Sequence, residues 1–324
     1  MNKRISGWAA LLLALALVGC NEQKLPMEGD SLVGDGVQYN AVESGGIMLN
    51  GDSASSEAAG VIIEETTVTI TEGGSYTLAG KLEEASVVIE VDKSQDVTLI
   101  LSNAELSASH TAVILVKSAG NVTLIAADGT VNSVTESAKS AAGVVTFLEA
   151  DGKKETADAA IFSKDDLKLE GGGELHVTAA YGCGISSSND IDIRDITLNV
   201  KAADHGIKGK DSVEIKGGML HVEAVGDGVK STEDAEAGKG FVEISGGKLN
   251  IIAADDALSA VTEIRITGGE IGIETENNAL KCDGSIAVTG GTLDIVTEDD
   301  DFKCDIVEGS ADAKVTVNGE TFTF

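Results

Sequence analysis

The sequence is poor in aromatic residues and proline, and it has one apolar run, at its N-terminus. Aromatic residues make up 3% of the 324 residues; the single tryptophan is Trp8 and the single proline is Pro26. Flat aromatic faces that could stack on neutral sugars are therefore scarce. No segment after the first twenty residues is long and apolar enough to cross a bilayer as a helix, which excludes a second helical span.

Basic residues are also scarce. Lysine and arginine total 23 against 54 aspartates and glutamates, a net charge of −31. Removing residues 1–19 takes out Lys3 and Arg4 and leaves 21 basic and 54 acidic residues, a net −33. Such a field repels nucleic acid and other polyanions unless cations intervene. Two explanations stay open at this point: bound divalent metal, or solubility alone.

The N-terminus reads as an export signal. Lys3 and Arg4 precede an apolar stretch over residues 8–18, which closes with the sequence Leu-Val-Gly-Cys at residues 17–20. A basic start, a short apolar core and a small residue before the cut are typical of a secretory signal. The closing sequence resembles the bacterial lipobox, so we predict a signal peptide over 1–19 and lipidation at Cys20. The alternative is an ordinary signal with an incidental cysteine.

The predicted lipoprotein is exported and anchored to the outer (or cell) membrane by this lipid alone, facing the periplasm or the exterior. Residues 20–60 are polar and rich in glycine and serine, which is typical of a flexible tether. Residues 61–134 alternate apolar and polar residues over short runs, which predicts strands.

An internal repeat is the strongest signal in the chain. Its core, Gly-Gly-x-Leu-x-Val, begins at Gly172, Gly217, Gly246, Gly268 and Gly290. A second element follows ten residues beyond the second glycine, and its successive copies are 22, 22, 29, 22 and 22 residues apart. The longer step contains an insertion at about 232–240. A third apolar element leads back to the next glycine pair.

Each unit of about 22 residues thus holds three short strands, each with one apolar face. One unit cannot bury that face, but stacked units can. The sequence therefore predicts an all-β fold, a right-handed parallel β-helix over residues 61–324, because parallel crossovers are right-handed by default. We expect a monomer. A leucine-rich repeat has a similar length, but its asparagine ladder and helical half are missing.

Stacking the coils aligns acidic residues into a column just before the second strand. Carboxylates stacked at about 4.8 Å repel each other, and hard cations with oxygen ligands offset that repulsion. We therefore predict calcium here, above all in the last coils, against the alternative of a solvated acidic edge rich in turn residues. The predicted ligands are Asp204, Asp227, Asp255, Asp256, Asn277, Asn278, Asp299, Asp300 and Asp301, with Asp283 and Asp305 across the strand.

A lysine column follows the acidic one. Lys208, Lys230, Lys281 and Lys303 occupy equivalent outward positions, interrupted by serines. They could pair with the neighbouring aspartates and keep the edge soluble, or bind carboxylated sugars beside a metal. A long strip of this kind suits a linear polymer.

Cysteine and histidine add little chemistry. Cys282 and Cys304 are 22 residues apart, and adjacent coils would bring their Cα atoms to about 5 Å, so a disulfide is possible. A reduced, buried pair is the alternative. No HExxH motif, Cys/His cluster, nucleophile elbow or phosphate loop is present, which disfavours zinc and several hydrolase classes.

These motifs resemble a bacterial carbohydrate-binding family of calcium-containing parallel β-helices, once a domain of unknown function. The resemblance begins near Gly74 and includes the runs at 97–101, 112–119, 159–167 and 206–213. It implies a pectate-lyase-like fold, calcium at the coil edges and binding of polysaccharides including polygalacturonate. The chain departs from the pattern at Asn277 and Asn278, where the ligand charge is lower, and at Cys183, which replaces a turn residue.

The sequence leaves three functions open. The first is a surface or periplasmic lipoprotein that binds an acidic polysaccharide through calcium and lysine, without catalysis. The second is a polysaccharide lyase on the same scaffold, which needs a base beside a metal. The third is a spacer without a ligand. Few aromatic residues favour recognition by charge over stacking.

Overall fold

The computed structural model describes residues 45–148 and 152–324, and nearly all of their regular structure is β-strand. A single 3-10 turn, Ala141–Gly143, is the only helical element in these two ranges. None of their helical segments has the length and apolar character needed to span a membrane. The predicted signal peptide, lipidation site Cys20 and most of the predicted tether lie outside the described residues.

Three rows of strands run through successive coils, and neighbouring strands within a row are parallel. Row A contains β9 (Asn121–Ala126), β14 (Asp166–Glu170), β17 (Asp190–Ile193), β20 (Ser212–Ile215), β23 (Phe241–Ile244), β26 (Glu263–Ile266), β29 (Ser285–Val288) and β32 (Ile306–Gly309). Row B contains β10 (Val131–Glu136), β15 (Glu174–Ala179), β18 (Thr197–Ala202), β21 (Met219–Ala224), β24 (Lys248–Ala253), β27 (Glu270–Thr275), β30 (Thr292–Thr297) and β33 (Lys314–Val317).

Row C forms a separate sheet on another side of each coil. It contains β4 (Thr67–Ile70), β6 (Ser86–Glu90), β8 (Ile114–Ser118), β13 (Ala159–Ser163), β16 (Cys183–Ser187), β19 (Ile207–Gly209), β22 (Val229–Ser231), β25 (Leu258–Ala260), β28 (Leu280–Cys282) and β31 (Phe302–Lys303). Two long strands, β5 (Gly74–Glu83) and β7 (Val97–Ala108), join rows A and B into one sheet in the first coils.

The register follows the repeat residue for residue. In row B, Leu175 pairs with Leu198, Leu198 with Leu220 and Leu220 with Leu249. All four are buried, and they belong to one continuous apolar core that fills the interior of the coils. Stacking identical side chains at the strand spacing removes from water the face that a single coil would expose. The predicted all-β parallel β-helix is confirmed.

The glycine pairs serve the turn between rows A and B. The second glycine has positive φ at Gly218, Gly247, Gly269 and Gly291. A Cβ at Gly218 would also lie 2.4 Å from the backbone oxygen of Ile196 in the preceding coil. Other residues are disfavoured on both counts, which explains why the pair recurs.

Short antiparallel hairpins occur near both ends. At one end, β1 (Gly45–Gly51) pairs with β2 (Ala54–Ser56), and β3 (Val61–Glu64) pairs with β4. At the other end, β33 pairs with β34 (Glu320–Phe322). The predicted start of the fold at residue 61 is therefore too late, because β1 also pairs in parallel with β5 and buries Ile47 and Leu49 in the core.

One hairpin interrupts the coils. Strands β11 (Val145–Leu148) and β12 (Lys154–Ala157) pair with each other and precede β13. Val145 and Phe147 pack on a second apolar cluster, which lies on the outer face of row C and includes Leu115 and Phe162. This hairpin covers the outer face of the earlier coils.

Candidate functional site

The predicted acidic column lies in the turn between rows B and C and has an inner and an outer position. The inner position is buried at Asp227, Asp256 and Asn278, each at most 1% exposed. The outer position is half-buried at Asp255 and Asn277. Burial of the inner carboxylates without partners would be costly, so their hydrogen bonds decide whether the column is stable.

Backbone amides of the next coil supply those partners. The Asp256 backbone N–H donates to Asp227 Oδ1 at 3.1 Å, and the Asn278 backbone N–H donates to Asp256 Oδ1 at 3.3 Å. The Asn278 side-chain amide also donates to Asp256 Oδ1 at 2.5 Å. Each inner carboxylate therefore holds the following coil in register.

Three carboxylates of the column converge. One oxygen from each of Asp227, Asp255 and Asp256 lies within 4.8 Å of the others, and this is the one such group of three found in the described ranges 45–148 and 152–324. Asn278 Oδ1, in the next coil, is buried and has no hydrogen-bond partner among the described residues. Carboxylate and amide oxygens are the ligands that calcium takes, so this donor set fits the predicted ion.

The last coils do not form such a group. Asp299, Asp300, Asp283 and Asp305 are exposed, and Asp301 is half-buried. We predicted calcium above all in these last coils, but the carboxylates that converge lie one to three coils earlier. Their greater exposure follows from their position near the end of the stack, with fewer coils beyond them.

Lysines already neutralise part of the converging group. Lys230 Nζ lies 2.6 Å from Asp227 Oδ2, and Lys281 Nζ lies 2.9 Å from Asp256 Oδ2. The hydrogen bond to Asp256 raises the pKa of Lys281, although burial opposes the shift. A cation bound here would compete with two ammonium groups for carboxylate oxygen.

Earlier in the stack the inner position loses its carboxylates. It is occupied by Cys183 and then by His205, whose Nδ1 accepts the backbone N–H of Asp227 at 2.9 Å. Burial, opposed by Asp204, lowers the pKa of His205, so the ring is neutral at pH 7. Burial also raises the pKa of the Cys183 thiol to about 12. Asp204 contacts these two side chains, at 3.6 Å from His205 Nε2 and 3.7 Å from Cys183 Sγ.

The lysines belong to a longer outward-facing series in row C, which we call the outer column. It consists of Val88, Leu115, Phe162, Ser186, Lys208, Lys230, Ser259, Lys281 and Lys303. The first three are apolar and buried, while Lys303 is exposed. The predicted lysine strip is thus the second half of a column that begins as apolar packing.

Lys208 reaches furthest along this column. Its Nζ lies 3.2 Å from Asp158 Oδ2, two coils away, because the intervening Ser186 is short enough to pass over. Burial alone would lower the pKa of Lys208, but anionic neighbours including Asp158 hold that pKa above its ordinary value. Lys208 is therefore a cation at neutral pH.

The two C-terminal cysteines are free thiols in the structure. The Sγ of Cys282 lies 3.8 Å from the Val261 carbonyl oxygen, and the Sγ of Cys304 lies 3.3 Å from that of Gly284. Each thiol thus faces a backbone carbonyl of the preceding coil. Cys282 is buried and Cys304 is partly exposed, so only one of the two matches the buried, reduced pair that the sequence left open.

Comparisons with known proteins agree on one family and one fold. A family model described as "Carbohydrate-binding domain-containing protein" matches residues 64–324. A carbohydrate-binding domain-containing protein of Acetivibrio thermocellus is 31% identical over 196 residues, which are 60% of this chain and 63% of that protein. The chain thus matches less than two thirds of that relative's length.

A solved structure has the same architecture. It is the polysaccharide lyase-like protein from C. thermocellum, as a gadolinium derivative. The TM-score is 0.68 at 30% sequence identity, and the match covers 75% of this chain and 96% of that one.

Proposed function

Because the chain belongs to the carbohydrate-binding domain-containing family, as the sequence motifs predicted, we propose that it binds an acidic, polygalacturonate-like polysaccharide through calcium and lysine at the edge of the β-helix. The observation that carries the proposal is the convergence of Asp227, Asp255 and Asp256 beside Lys230 and Lys281. Family membership supports carbohydrate as the ligand class, and the charge pattern supports an acidic polymer.

Asp227, Asp255 and Asp256 would hold the calcium, and Asn278 in the next coil offers a buried Oδ1 that has no hydrogen-bond partner among the described residues. Bound calcium supplies local positive charge in a chain of net charge −31 and takes six to eight oxygen ligands, more than these side chains provide. The remaining positions suit the carboxylates and hydroxyls of a uronate polymer.

The lysines contribute directional donors. An ammonium group has three N–H donors, and each lysine of the pair Lys230 and Lys281 uses one on its aspartate. The others can reach a sugar carboxylate or hydroxyl. Equivalent positions in successive coils repeat at about 4.8 Å, which suits a ligand that is itself a repeating chain.

The proposal predicts that calcium stabilises the fold and promotes polymer binding. At about 100 times its Kd, calcium should stabilise the folded state by about 2.7 kcal/mol, measured as a rise in melting temperature over the chelated protein. Asp256→Asn should abolish this rise, whereas Asp299→Asn, at an exposed position outside the converging group, should retain it.

An unchanged melting temperature on chelation would rule out the calcium part of the proposal. Retention on immobilised polygalacturonate should also increase with calcium in the wild-type protein and not in Asp256→Asn. No retention under any condition would favour a spacer.

Polysaccharide cleavage is the second candidate, because the solved neighbour is described as polysaccharide lyase-like. A lyase base must accept a proton from the sugar, and a lysine does so only when deprotonated. The pKa values of Lys208 and Lys281 are raised, which supports binding over cleavage. Ultraviolet absorbance from an unsaturated product, after addition of polygalacturonate and calcium, would instead establish a lyase.

We also propose that the protein acts at a membrane surface, anchored by lipid on Cys20. The support is the sequence at residues 17–20, at the end of the apolar stretch. Metabolic labelling with a fatty acid should tag the wild-type protein and leave Cys20→Ala unlabelled. Equal labelling of both would contradict the anchor.

A further inference from the structure

A shallow groove lies on the outer face of row C, at the point where the covering hairpin ends. It crosses β13, β16 and β19, and its volume of about 310 Å³ is at the low end of the roughly 300–1,000 Å³ of small-ligand sites. Its lining includes Glu155, Thr156, Ser186, Lys208, Lys210 and Thr232. Asp227, Asp255 and Asp256 are not part of it.

Both irregular segments of the C-terminal stack contribute to this groove. Glu155 and Thr156 belong to β12 of the inserted hairpin, and Thr232 begins the loop 232–240 that lengthens one coil. The two insertions are about 75 residues apart in sequence, yet each provides one wall. The hairpin and the loop are the two large departures from the repeat in this part of the chain, and they meet at the same place. This shared location indicates a binding site formed by both.

The hairpin wall is fixed by packing and by an ion pair. The rings of Phe147 and Phe162 meet edge to face with centroids 6.3 Å apart. Lys164 Nζ lies 2.5 Å from Glu155 Oε2. The wall thus rests on row C on both its apolar and its polar side.

The loop wall is fixed by two further ion pairs. Lys210 Nζ lies 2.7 Å from Glu233 Oε2, and Lys239 Nζ lies 2.8 Å from Asp211 Oδ2. The Gly240 backbone N–H also donates to the Asp211 carbonyl at 2.6 Å. Both ends of the loop are therefore tied to the strand turn after β19.

The charges that line the groove are all paired. Lys208 bonds Asp158, Lys210 bonds Glu233, and Glu155 bonds Lys164. Pairing cancels the net charge but leaves hydrogen-bonding capacity, since an ammonium has three donors and a carboxylate has about four acceptor sites. Hydroxyls of Thr156, Ser186 and Thr232 add groups that both donate and accept.

We infer that this groove is a second glycan-binding site. It would hold a short, hydroxyl-rich stretch of a polysaccharide by hydrogen bonds, without a metal ion. Sugar hydroxyls can bond the paired charges without separating them. A sugar carboxylate would have to compete with Asp158 or Glu233 for its lysine, and it would enter a field of net charge −31. The groove therefore recognises the hydroxyl groups of a sugar and not its charge, whereas the proposed calcium site recognises a charged sugar.

This inference rests on the proposed function and is tested separately from it, with a chelator present. The probes are a galacturonate hexamer and its carboxyl-reduced, uncharged counterpart, titrated calorimetrically against the full chain. We expect the uncharged hexamer to bind at least as tightly as the charged one. The lysines that line the groove are already paired, and with the chelator present no metal ion can bind a sugar carboxylate there.

Two groove variants and one control locate the binding. Thr232→Trp fills the groove from the loop wall, and Lys208→Met removes the floor ammonium; each should weaken the uncharged hexamer at least tenfold, because a bond to a charged donor is lost or blocked. Thr292→Trp, at an exposed position of row B, should bind like the wild type. Circular dichroism melts check that each variant is folded.

The outcomes separate the two proposals. Unchanged affinity in both folded groove variants would overturn the groove as the site. Binding of the uncharged hexamer that requires calcium would overturn the metal-free inference and leave the proposed function standing. Failure of every glycan with and without calcium would overturn the proposed function and the inference together.

Discussion

The outer column of row C differs sharply between its first and last coils, although the backbone beneath it is the same. Val88, Leu115 and Phe162 are buried under the hairpin or beside it, whereas Lys208, Lys230 and Lys281 form ion pairs at the surface. A β-helix holds its coils together through the interior, so the outward positions are free to diverge. The earlier coils use them for packing, and the later coils use them for polar chemistry.

The largest effect is expected when a side chain is shortened in the part of the outer column that the hairpin covers. Phe162 is 3% exposed and packs on Phe147. Phe162→Ala should destabilise the fold by about 3–5 kcal/mol, the usual cost of deleting a buried aromatic ring. The matched change in the same column, Lys303→Ala, should stay within about 0.5 kcal/mol because Lys303 is exposed. Urea denaturation measures both, and equal effects would remove the contrast.

A smaller loss is expected inside the acidic column. Asp256→Asn removes the charge that accepts bonds from Asn278 and Lys281, which should cost about 1.5–3 kcal/mol in the presence of a chelator. The exposed Asp299→Asn should change stability by less than about 0.5 kcal/mol. Thermal and urea unfolding test the pair, and a more stable Asp256→Asn would indicate that the column is strained until a cation binds.

The smallest predicted effect is local and depends on pH. The hydrogen bond from Lys210, with those from the amides of Ala235 and Glu236, lowers the pKa of Glu233 to about 2. Because the pKa of Glu233 is below its ordinary value of 4.5, the ionised carboxylate contributes its full stabilisation of the loop 232–240 at any pH above 4.5. That contribution is lost as the pH falls through about 2.

Amide resonances of Ala235 and Glu236 should therefore titrate near pH 2 in an NMR experiment. In Glu233→Gln this transition should be missing, while the rest of the spectrum keeps its dispersion. A midpoint near 4.5 in the wild type would show that the loop wall is not held by this carboxyl.

The repeat predicted the rows and their register because several successive coils make the same turn with a glycine pair, whose second member has positive φ at Gly218, Gly247, Gly269 and Gly291. It also placed the acidic residues in one column and the lysines in another, but it did not predict that the acidic column divides into a buried inner and a half-buried outer position. It did not identify which partners they choose, since partner choice depends on the residue in between: the short Ser259 lets Lys281 reach back to Asp256, and Ser186 lets Lys208 reach back to Asp158.

Non-repeating segments were the hardest to predict. Strand β1 lies in a polar, glycine-rich stretch, and its identity comes from packing Ile47 and Leu49 on β5, which a local pattern does not reveal. The hairpin β11–β12 and the groove beside it have no counterpart in other coils. The column of lysines indicated the groove residue Lys208, and the 29-residue step located the insertion that begins at Thr232, but no pattern in the sequence indicated Thr156.

The fixed register also determines distances along the stack from the number of coils between two residues. Equivalent atoms in neighbouring coils are about 4.8 Å apart, so Lys208 and Lys303, four coils apart in the outer column, are separated by about 19 Å along the stack. A pair of labels or attached groups placed at any two outer positions thus has a spacing set by counting coils, in steps of one strand width.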